Sequence, residues 1–346
     1  MNENNQTTSL PKTPPPVPKD YASDRDVRWC PGCGDYSVLA MVQKVMAQVG
    51  LPREKIAFIS GIGCSSRFTY YMNAFGFHTI HGRALTIASG VKCANPELSV
   101  WVATGDGDAL SIGGNHFVHT LRRNIGMNIL LFNNRIYGLT KGQASPTTLE
   151  GKITKTTPFG SIEHPVNPIS LALGSEGTFI ARTLDRDLKH MQEMLLRVYG
   201  HRGTSLLEIM QNCKIFNDGA FLEFTEKETK NENVIFIEHN KPLVFGNKKD
   251  KGIKLDGWKI TVINIDDGKN SINDCLVYNE KSKELAFLIS EFYDRQDLPM
   301  PVGVFLNIER PTYEDNMMRQ IEYTKEKLGI GDVDELVKGN STWVIK

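Results

Sequence analysis

Hydrophobic residues in this chain occur largely as short continuous runs that end at glycine or polar residues. Four such runs are KIAFIS (55–60), LSVWVAT (98–104), MNILLFNN (127–134) and GTSLLEIMQNC (203–213). Runs of this length with few polar interruptions are typical of strands buried on both faces of a parallel sheet. Helix-length stretches separate them, such as VLAMVQKVMAQVG (38–50), whose apolar residues recur at helical spacing. The pattern predicts an α/β fold with a doubly wound, mostly parallel sheet.

The same pattern divides the chain into three parts. Residues 1–20, MNENNQTTSLPKTPPPVPKD, have no apolar signal core and are predicted to be a disordered, Pro-rich leader. The alternating strands and helices fill residues 21–220. In residues 221–346, charged segments such as GNKKDKGIKLDG alternate irregularly with short apolar runs. This last part is expected to pack on the core domain or on a partner chain.

Composition narrows the class of protein. Of 346 residues, 40 % are hydrophobic and 23 % charged, which is typical of a globular protein with a full core. Lys and Arg together number 40, as do Asp and Glu, so no global field attracts nucleic acid or an acidic membrane surface. No apolar run approaches the roughly 20 residues of a membrane span. We therefore expect a cytoplasmic protein that binds neither nucleic acid nor membrane.

Polar residues follow two neighbouring strands at the point where each strand ends. Asp106 comes after the strand predicted at 100–103, and Asn134 follows the strand predicted at 129–132, with a helix expected at about 111–123 between them. In a right-handed βαβ unit both strands point the same way, so these two side chains emerge at the same carboxyl edge of the sheet. Two oxygen donors and a helix N-terminus are thereby expected near one point.

That arrangement suits magnesium and a diphosphate. Magnesium prefers oxygen ligands and completes its shell with phosphates and water. The Asp106 carboxylate, the Asn134 amide and the Ile136 carbonyl would supply such ligands. Gly105 and Gly107 would let the backbone approach a diphosphate, whose charge the helix N-terminus favours. Each motif alone is common turn chemistry, but the pair, one βαβ unit apart, predicts a magnesium–diphosphate site.

Four of the six cysteines belong to glycine-rich or strand-end motifs. Cys30 and Cys33 lie in WCPGCGDY, and Cys64 and Cys213 each follow a strand-like run, which should bring the latter two to the same sheet edge. Their possible roles are a disulfide, a redox dithiol, structural zinc or an iron–sulfur cluster. A disulfide is disfavoured in the cytosol, and the Pro-Gly between the paired cysteines opens no thioredoxin-like helix. Spacing alone leaves zinc and a cluster open.

Five motifs together resemble one family. The Gly-Asp-Gly to Asn-Asn span resembles the diphosphate-binding motif of thiamine diphosphate (ThDP) enzymes. With CPGCG, GIGCSSR, HTIHGRA and YGLTKGQ, residues 25–220 resemble the β subunit of 2-oxoacid:ferredoxin oxidoreductases. The resemblance implies CoA-dependent oxidative decarboxylation of a 2-oxoacid to an acyl-CoA and CO2, with electrons passed to ferredoxin. A non-redox ThDP decarboxylase or carboligase is the alternative that would not need the cysteines.

The resemblance also implies cofactors and the residues that hold them. It implies that Cys30, Cys33, Cys64 and Cys213 are the ligands of a [4Fe–4S] cluster close to ThDP. Zinc at that position would leave the reaction without an electron acceptor. Cys275 matches no motif. A hydrogen-bonded structural role is as plausible for His81 as a cofactor contact. The residues expected to line ThDP and its magnesium are Gly63, Cys64, Ser65, His81, Gly105, Asp106, Gly107, Asp108, Asn134, Ile136, Gly138 and Leu139.

Substrate choice and partners are expected from a few further residues. Arg67 and Lys141 are cations on loops at the predicted active edge and would match the second carboxylate of 2-oxoglutarate. Leu139 stands where pyruvate-specific relatives tend to carry a polar residue. Pyruvate or another 2-oxoacid remains the alternative, and either cation could instead meet solvent, CoA or a partner chain. Because no glutamate that activates ThDP can be placed here, the family resemblance implies an obligate α subunit.

Overall fold

A computed structural model describes residues 14–265 and 267–345 of the chain. Its strands are β1 (Ile56–Ser60), β2 (Phe75–His78), β3 (Ser99–Gly105), β4 (Met127–Asn133), β5 (Phe179–Leu184), β6 (Thr204–Met210), β7 (Val234–Ile237), β8 (Val244–Phe245), β9 (Lys251–Asp256), β10 (Lys259–Asn264) and β11 (Met300–Asn307). Its α-helices are α1 (Asp35–Val49), α2 (Phe68–Tyr71), α3 (Ala84–Ala94), α4 (Gly114–Arg123), α5 (Pro168–Gly174), α6 (Leu188–Gly200), α7 (Leu222–Thr225), α8 (Lys230–Asn233), α9 (Lys283–Ser290), α10 (Tyr313–Leu328) and α11 (Val333–Lys338).

Eight strands form one sheet in the order β2-β1-β3-β4-β6-β5-β11-β7, and β8, β9 and β10 form a small antiparallel sheet. In the large sheet only β11 against β5 is antiparallel among the described pairs. The prediction of an α/β fold with a mostly parallel sheet is therefore confirmed. The strands are longer than the predicted 100–103 and 129–132, because the ladder continues to the residues that open the loops.

The central strands are continuous apolar runs because both faces of the sheet are covered. Along β4, Ile129 and Leu131 point into the apolar layer that also holds residues of α3 to α5 and α9, whereas Leu130 and Phe132 point into the layer under α1 and α6. Alternation of side chains along a strand produces this division. Each fully buried side chain of this kind contributes about 1.5–3 kcal/mol. The core therefore fixes the strands, and the strands fix where their following loops begin.

Register brings several loops to one edge of the large sheet. Ser60 at the end of β1 pairs with Ala103, Gly105 at the end of β3 pairs with Phe132, and Asn133 pairs with Met210 at the end of β6. Since these strands are parallel, the loops that follow β1, β3, β4 and β6 leave from the same edge. This is the geometric relation that the strand-end motifs of the sequence predicted.

The segment between β3 and β4 differs from its prediction. The helix expected at about 111–123 begins at Gly114, and Asp108–Ile112 forms a π-type turn in which Ser111 has non-helical angles (φ −91°, ψ −106°). The turn arises where the Asp108 carboxylate is tied to the loop after β1. The chain is nevertheless helical from Asp106, so Asp106, Gly107 and Asp108, which line the cavity at this edge, open the helical segment that continues into α4. A helix-dipole contact to a diphosphate stays a prediction.

The structure can be compared with the predicted leader at residues 1–20 and with the predicted boundary at residue 220. Of the predicted leader, residues 1–13 fall outside the described residues, and Pro18–Tyr21 forms a 3-10 turn whose Tyr21 is buried and donates its hydroxyl to Leu51 O at 2.7 Å. After residue 220, β7 and β11 join the large sheet. A boundary at 220 remains a prediction, since this part shares the sheet with the rest.

Candidate active site

A cavity of about 400 Å³, here called the Asp106 cavity, lies at the carboxyl edge of the sheet among the loops after β1, β2, β3 and β4. Every residue predicted to line ThDP is in its wall, together with four that were not predicted. The wall consists of Ile62, Gly63, Cys64, Ser65, His81, Gly105, Asp106, Gly107, Asp108, Asn134, Ile136, Tyr137, Gly138, Leu139, Thr140 and Gln143.

Asp106 is buried and firmly held. Its Oδ2 atom accepts hydrogen bonds of 2.6 Å from both Ser145 Oγ and Thr147 Oγ1. Burial raises the pKa of this carboxyl to about 6, although the two hydroxyl donors act in the opposite direction. Both hydroxyls bind Oδ2, and backbone N–H groups of Gly107 and Asp106 also favour the charged carboxylate. Oδ1 receives no side-chain hydrogen bond in the described part of the chain and can accept from a group in the cavity.

The two asparagines after β4 have different roles. Asn134 lines the cavity, and its Oδ1 accepts a 3.1 Å bond from Ile136 N in a local turn. An amide oxygen has two lone pairs and can accept a further partner. Asn133 is fully buried behind the cavity and donates from Nδ2 to Glu208 Oε1 at 2.7 Å. Asn133 thus anchors the loop to β6, and Asn134 faces the cavity.

The Asp108 carboxylate fastens the surrounding loops. Its Oδ1 accepts bonds from Ile62 N at 3.1 Å and Gly82 N at 2.7 Å, and its Oδ2 accepts one from Thr104 Oγ1 at 2.6 Å. His81 Nδ1 also lies 2.9 Å from Oδ1. The Asp108 carboxylate is engaged with the protein itself and so shapes the cavity, whereas the nearby His81 Nδ1 makes no hydrogen bond in the described part of the chain.

The Tyr137 side chain packs against Gly107, one of the glycines predicted to line ThDP. Its hydroxyl donates to Gly107 O at 3.1 Å, and a Cβ atom at Gly107 would lie 2.1 Å from its ring. Any side chain at Gly107 would therefore displace the tyrosine. From the sequence, Gly107 is expected to allow the close approach of a diphosphate; the Tyr137 ring adds a steric requirement from within the chain.

A second cavity of about 210 Å³, here called the cysteine cavity, adjoins the first. The four predicted cluster ligands all line it, and Cys64, Asn134, Gly138 and Leu139 line both cavities. A wall made by the loops after β1 and β4 is thus common to the two spaces. The lining consists of Arg28, Trp29, Cys30, Cys33, Cys64, Arg67, Asn134, Gly138, Leu139, Lys141, Gln211, Cys213, Lys214, Ile215 and Phe216.

The sulfurs of Cys64 and Cys213 approach each other across Gly138. They lie 3.5 and 3.6 Å from the position that a Cβ on Gly138 would occupy, so a side chain there would fill the space between them. Both cysteines are free thiols, as are Cys30 and Cys33. Burial raises the pKa of Cys64 to about 12 and also raises that of Cys33. Thiols of this kind lose their protons when metal binds.

The residues expected to select the substrate lie beside the cysteine cavity. Arg67 and Lys141 line it and are absent from the wall of the Asp106 cavity, and Arg67 donates from Nε to Tyr71 OH at 3.0 Å. Leu139 lines both cavities and is 48 % exposed. The structure therefore brings the two cations together next to the predicted ThDP site rather than within it.

Several residues of this edge were not identified from the sequence. Ser145 and Thr147 hold Asp106, Tyr137 packs on the Gly-Asp-Gly turn, and Gln211 reaches Cys33. The run SPTT (145–148), which follows YGLTKGQ, was the available signal for the first two. No such signal exists for Gln211, whose role depends on side-chain packing.

Comparisons with known proteins identify the family. A family model described as "Thiamine pyrophosphate enzyme, C-terminal TPP binding domain" matches residues 61–209. The "2-oxoglutarate oxidoreductase subunit KorB" of Mycobacterium tuberculosis is 48 % identical over 331 residues, which cover 94 % of this chain and 88 % of that protein. The chain belongs to the β subunits of 2-oxoacid:ferredoxin oxidoreductases. The family that the motifs indicated is thereby confirmed.

Further relatives of this β subunit agree. The "2-oxoacid:ferredoxin oxidoreductase subunit beta" of Sulfolobus sp. is 35 % identical over 306 residues, covering 86 % of this chain and 89 % of that one. A solved structure is titled "2-oxoglutarate:ferredoxin oxidoreductase from Magnetococcus marinus with 2-oxoglutarate, coenzyme A and succinyl-CoA bound". It superposes with a TM-score of 0.75 at 30 % identity and covers 97 % of this chain and 99 % of its own.

Within residues 14–265 and 267–345, no three His, Cys, Asp or Glu side chains are grouped so as to hold a metal ion. In the same part of the chain, no helix combines the length and apolar character that crossing a bilayer requires.

Proposed function

We propose that this β subunit, with an α subunit, oxidises 2-oxoglutarate and coenzyme A to succinyl-CoA and CO2. Two electrons leave one at a time through a [4Fe–4S] cluster, each to an oxidised ferredoxin. The observation that carries the proposal is the shared wall of the two cavities, formed by Cys64, Asn134, Gly138 and Leu139. Electrons that leave a bound cofactor in one cavity would meet an acceptor in the next.

The Asp106 cavity fits ThDP and magnesium in the chemistry of its donors. It presents a carboxylate oxygen of Asp106 and the amide oxygen of Asn134, and the Ile136 carbonyl belongs to the same loop. These are the hard oxygen ligands that magnesium prefers. A buried carboxylate is costly without a cation, and a divalent ion would offset that cost. When bound, ThDP supplies the carbanion chemistry of decarboxylation, and the protein contributes binding and orientation.

The cysteine cavity fits an iron–sulfur cluster in the same sense. Four thiols, from Cys30, Cys33, Cys64 and Cys213, line one small space, and four thiolates complete a [4Fe–4S] cluster. Arg28, Arg67, Lys141 and Lys214 line the same space and would offset negative charge on it. Because each thiolate binds a different iron, such a site does not require its ligands to converge on a single ion.

The choice of 2-oxoglutarate rests on the relatives and on two cations. The M. tuberculosis relative and the M. marinus structure are both named for 2-oxoglutarate. Arg67 and Lys141 line the cysteine cavity next to the Asp106 cavity, where they could bind the second carboxylate of that substrate. Leu139, which lines both cavities, would leave the substrate chain without a competing polar partner. We propose these three residues as the substrate-side group.

An α subunit is proposed because the Asp106 cavity is incomplete on this chain. Its wall contains no glutamate that could activate the aminopyrimidine ring of ThDP. Next to His81, the edge strand β2 and its loop expose Phe75 (62 %), Phe77 (52 %) and Ile80 (73 %). Apolar side chains exposed together at a cavity mouth are typical of a protein interface. The α subunit would cover this edge and contribute the missing acid.

The cavity residues and the free cysteines support the predicted division of the chain and its predicted compartment. All residues of both cavities fall between 28 and 216, which supports residues 21–220 as the cofactor-binding part and 221–346 as its extension. All six cysteines are free, and a protein that relies on free thiols and reduced iron suits a reducing compartment. We therefore propose that the enzyme works in the cytoplasm.

The test is the composition and reduction of the αβ complex purified without oxygen. The proposal expects iron, sulfide and ThDP to co-purify, and the visible absorbance of the cluster to fall when 2-oxoglutarate and CoA are added together. Zinc without iron or sulfide would overturn the cluster assignment. Decarboxylation without any change in absorbance would favour a non-redox ThDP enzyme.

A further inference from the structure

Gln211 connects the end of β6 to the cysteine loop. It is the first residue after the strand, is 1 % exposed, and donates from its backbone N to Asn133 O at 2.9 Å. Its side-chain Nε2 lies 3.3 Å from Cys33 Sγ in hydrogen-bond geometry. In the described part of the chain, this is the one side-chain hydrogen bond donated to a sulfur of the four cysteines in the cavity.

The last glycine of CPGCG makes room for this contact. A Cβ atom at Gly34 would lie 2.5 Å from Gln211 Cγ and 2.2 Å from Asp185 Oδ2. Asp185 in turn accepts a 2.9 Å bond from Asn212 N, which fixes the backbone next to Gln211. The glutamine is therefore enclosed by Gly34 on one side and held by the Asp185–Asn212 bond on the other. Its amide cannot leave Cys33 without disturbing both loops.

We propose that the Gln211 amide sets the reduction potential of the proposed cluster through its N–H···S hydrogen bond to Cys33. This inference rests on the proposed function, which places a [4Fe–4S] cluster on Cys33. Reduction adds negative charge to the cluster and its sulfur ligands, and a hydrogen-bond donor stabilises the more negative state. The bond therefore raises the potential. Gln211 acts on the cluster through a ligand, as outer residues of metal sites do.

The test is a redox titration of the αβ complex carrying Gln211→Met, followed by electron paramagnetic resonance. Methionine has similar length and no donor, so the potential should become more negative. A hydrogen bond to a charged group is stronger than one to a neutral group, so at a fixed solution potential the reduced-to-oxidised ratio should fall about fivefold, which is ~41 mV for one electron. Gln192→Met, at a half-buried glutamine on α6 bonded to Gln48, should leave the potential unchanged.

An unchanged potential in Gln211→Met, with iron and sulfide intact, would overturn the inference and leave the proposed function standing. Should that variant lose its cluster, the wild-type complex decides instead. With ¹⁵N in the glutamine side-chain amides, pulsed resonance of the reduced cluster should show a coupling to nitrogen. Its absence overturns the inference. A wild-type complex without iron contradicts the proposed function itself, so the two failures are distinguishable.

Discussion

The Asp106 cavity and the cysteine cavity share a wall but satisfy their polar groups differently. Around the first, the chain supplies its own partners: hydroxyls for Asp106, backbone amides and a threonine for Asp108. In the wall of the first cavity, His81 Nδ1 is the one buried side-chain atom without a partner among the described residues. At or behind the second, both oxygens of Asp35, Oδ1 of Asp185 and Oε1 of Gln211 are buried without a hydrogen-bond partner in the described part of the chain. Burial also raises the pKa of Asp35 to about 7.

The difference indicates two kinds of site. Buried polar groups are normally hydrogen-bonded, and unpaired ones are costly. The Asp106 cavity is therefore arranged before any ligand arrives, as catalytic electrostatics require. The cysteine cavity is left with free thiols and with unpaired acceptors at or behind its wall, so its structure is completed by what binds there. Metal binding would then contribute to folding in this region.

The strongest test of a prearranged cavity is to remove its central carboxylate. Asp106→Ala should weaken magnesium-dependent ThDP binding by at least about 100-fold. The substitution removes one of the three predicted magnesium ligands, and the other two, the Asn134 amide and the Ile136 carbonyl, carry no charge. Titration calorimetry of the αβ complex measures this. Asp256→Ala, at an exposed position in β9, serves as the control. Retained affinity in Asp106→Ala would remove the metal assignment.

The next largest effect should separate the two cavities. Cys213→Ser should lose or convert the cluster, because one of its four thiolates is gone, while ThDP binding stays within a few-fold since Cys213 does not line the Asp106 cavity. Iron and sulfide analysis with visible spectroscopy measures the first, and calorimetry the second. Cys275→Ser is the matched control. Equal losses in the two serine variants would mean that the fourth ligand is misassigned.

A smaller effect is expected at the hydroxyls behind Asp106. Thr147→Val keeps the shape of the side chain and removes its donor, so ThDP affinity in the presence of magnesium should fall about 10- to 100-fold, as for other outer residues of metal sites. Thr147→Ser restores the donor and should bind normally. If valine and serine behave alike, the cavity is not prearranged by this bond, and the contrast between the two cavities fails.

The smallest effect is expected on substrate preference, at Lys141 in the wall of the cysteine cavity. Lys141→Ala should lower kcat/KM for 2-oxoglutarate about tenfold, the value of one lost charge-assisted bond, and leave pyruvate turnover nearly unchanged. Lys152→Ala, an exposed lysine of the same long loop, is the control. Steady-state assays of the αβ complex with both substrates measure the ratio. An equal loss for both substrates would assign Lys141 to CoA or to a partner instead.

The candidate site was largely predictable wherever it depended on strand ends. Asp106, Asn134, Cys64 and Cys213 each follow a buried apolar run, and parallel strands deliver such residues to one edge whatever the loops do. The helix predicted from about 111 is interrupted: helical residues start at Asp106, and α4 begins at Gly114 after the π-type turn of Asp108–Ile112. The Asp108 carboxylate, at the start of that turn, accepts a bond from Ile62 N in another loop, which local helical spacing cannot anticipate.

The sequence by itself determined the sheet, the edge at which the chemistry gathers and the family, because periodicity and motif spacing are local properties that the backbone obeys directly. Only the tertiary structure decided that Ser145 and Thr147 hold Asp106, that Gln211 reaches Cys33, and that Arg67 and Lys141 lie by the cysteines. These contacts join residues far apart in the chain through irregular loops. Their geometry depends on packing, which no local pattern encodes.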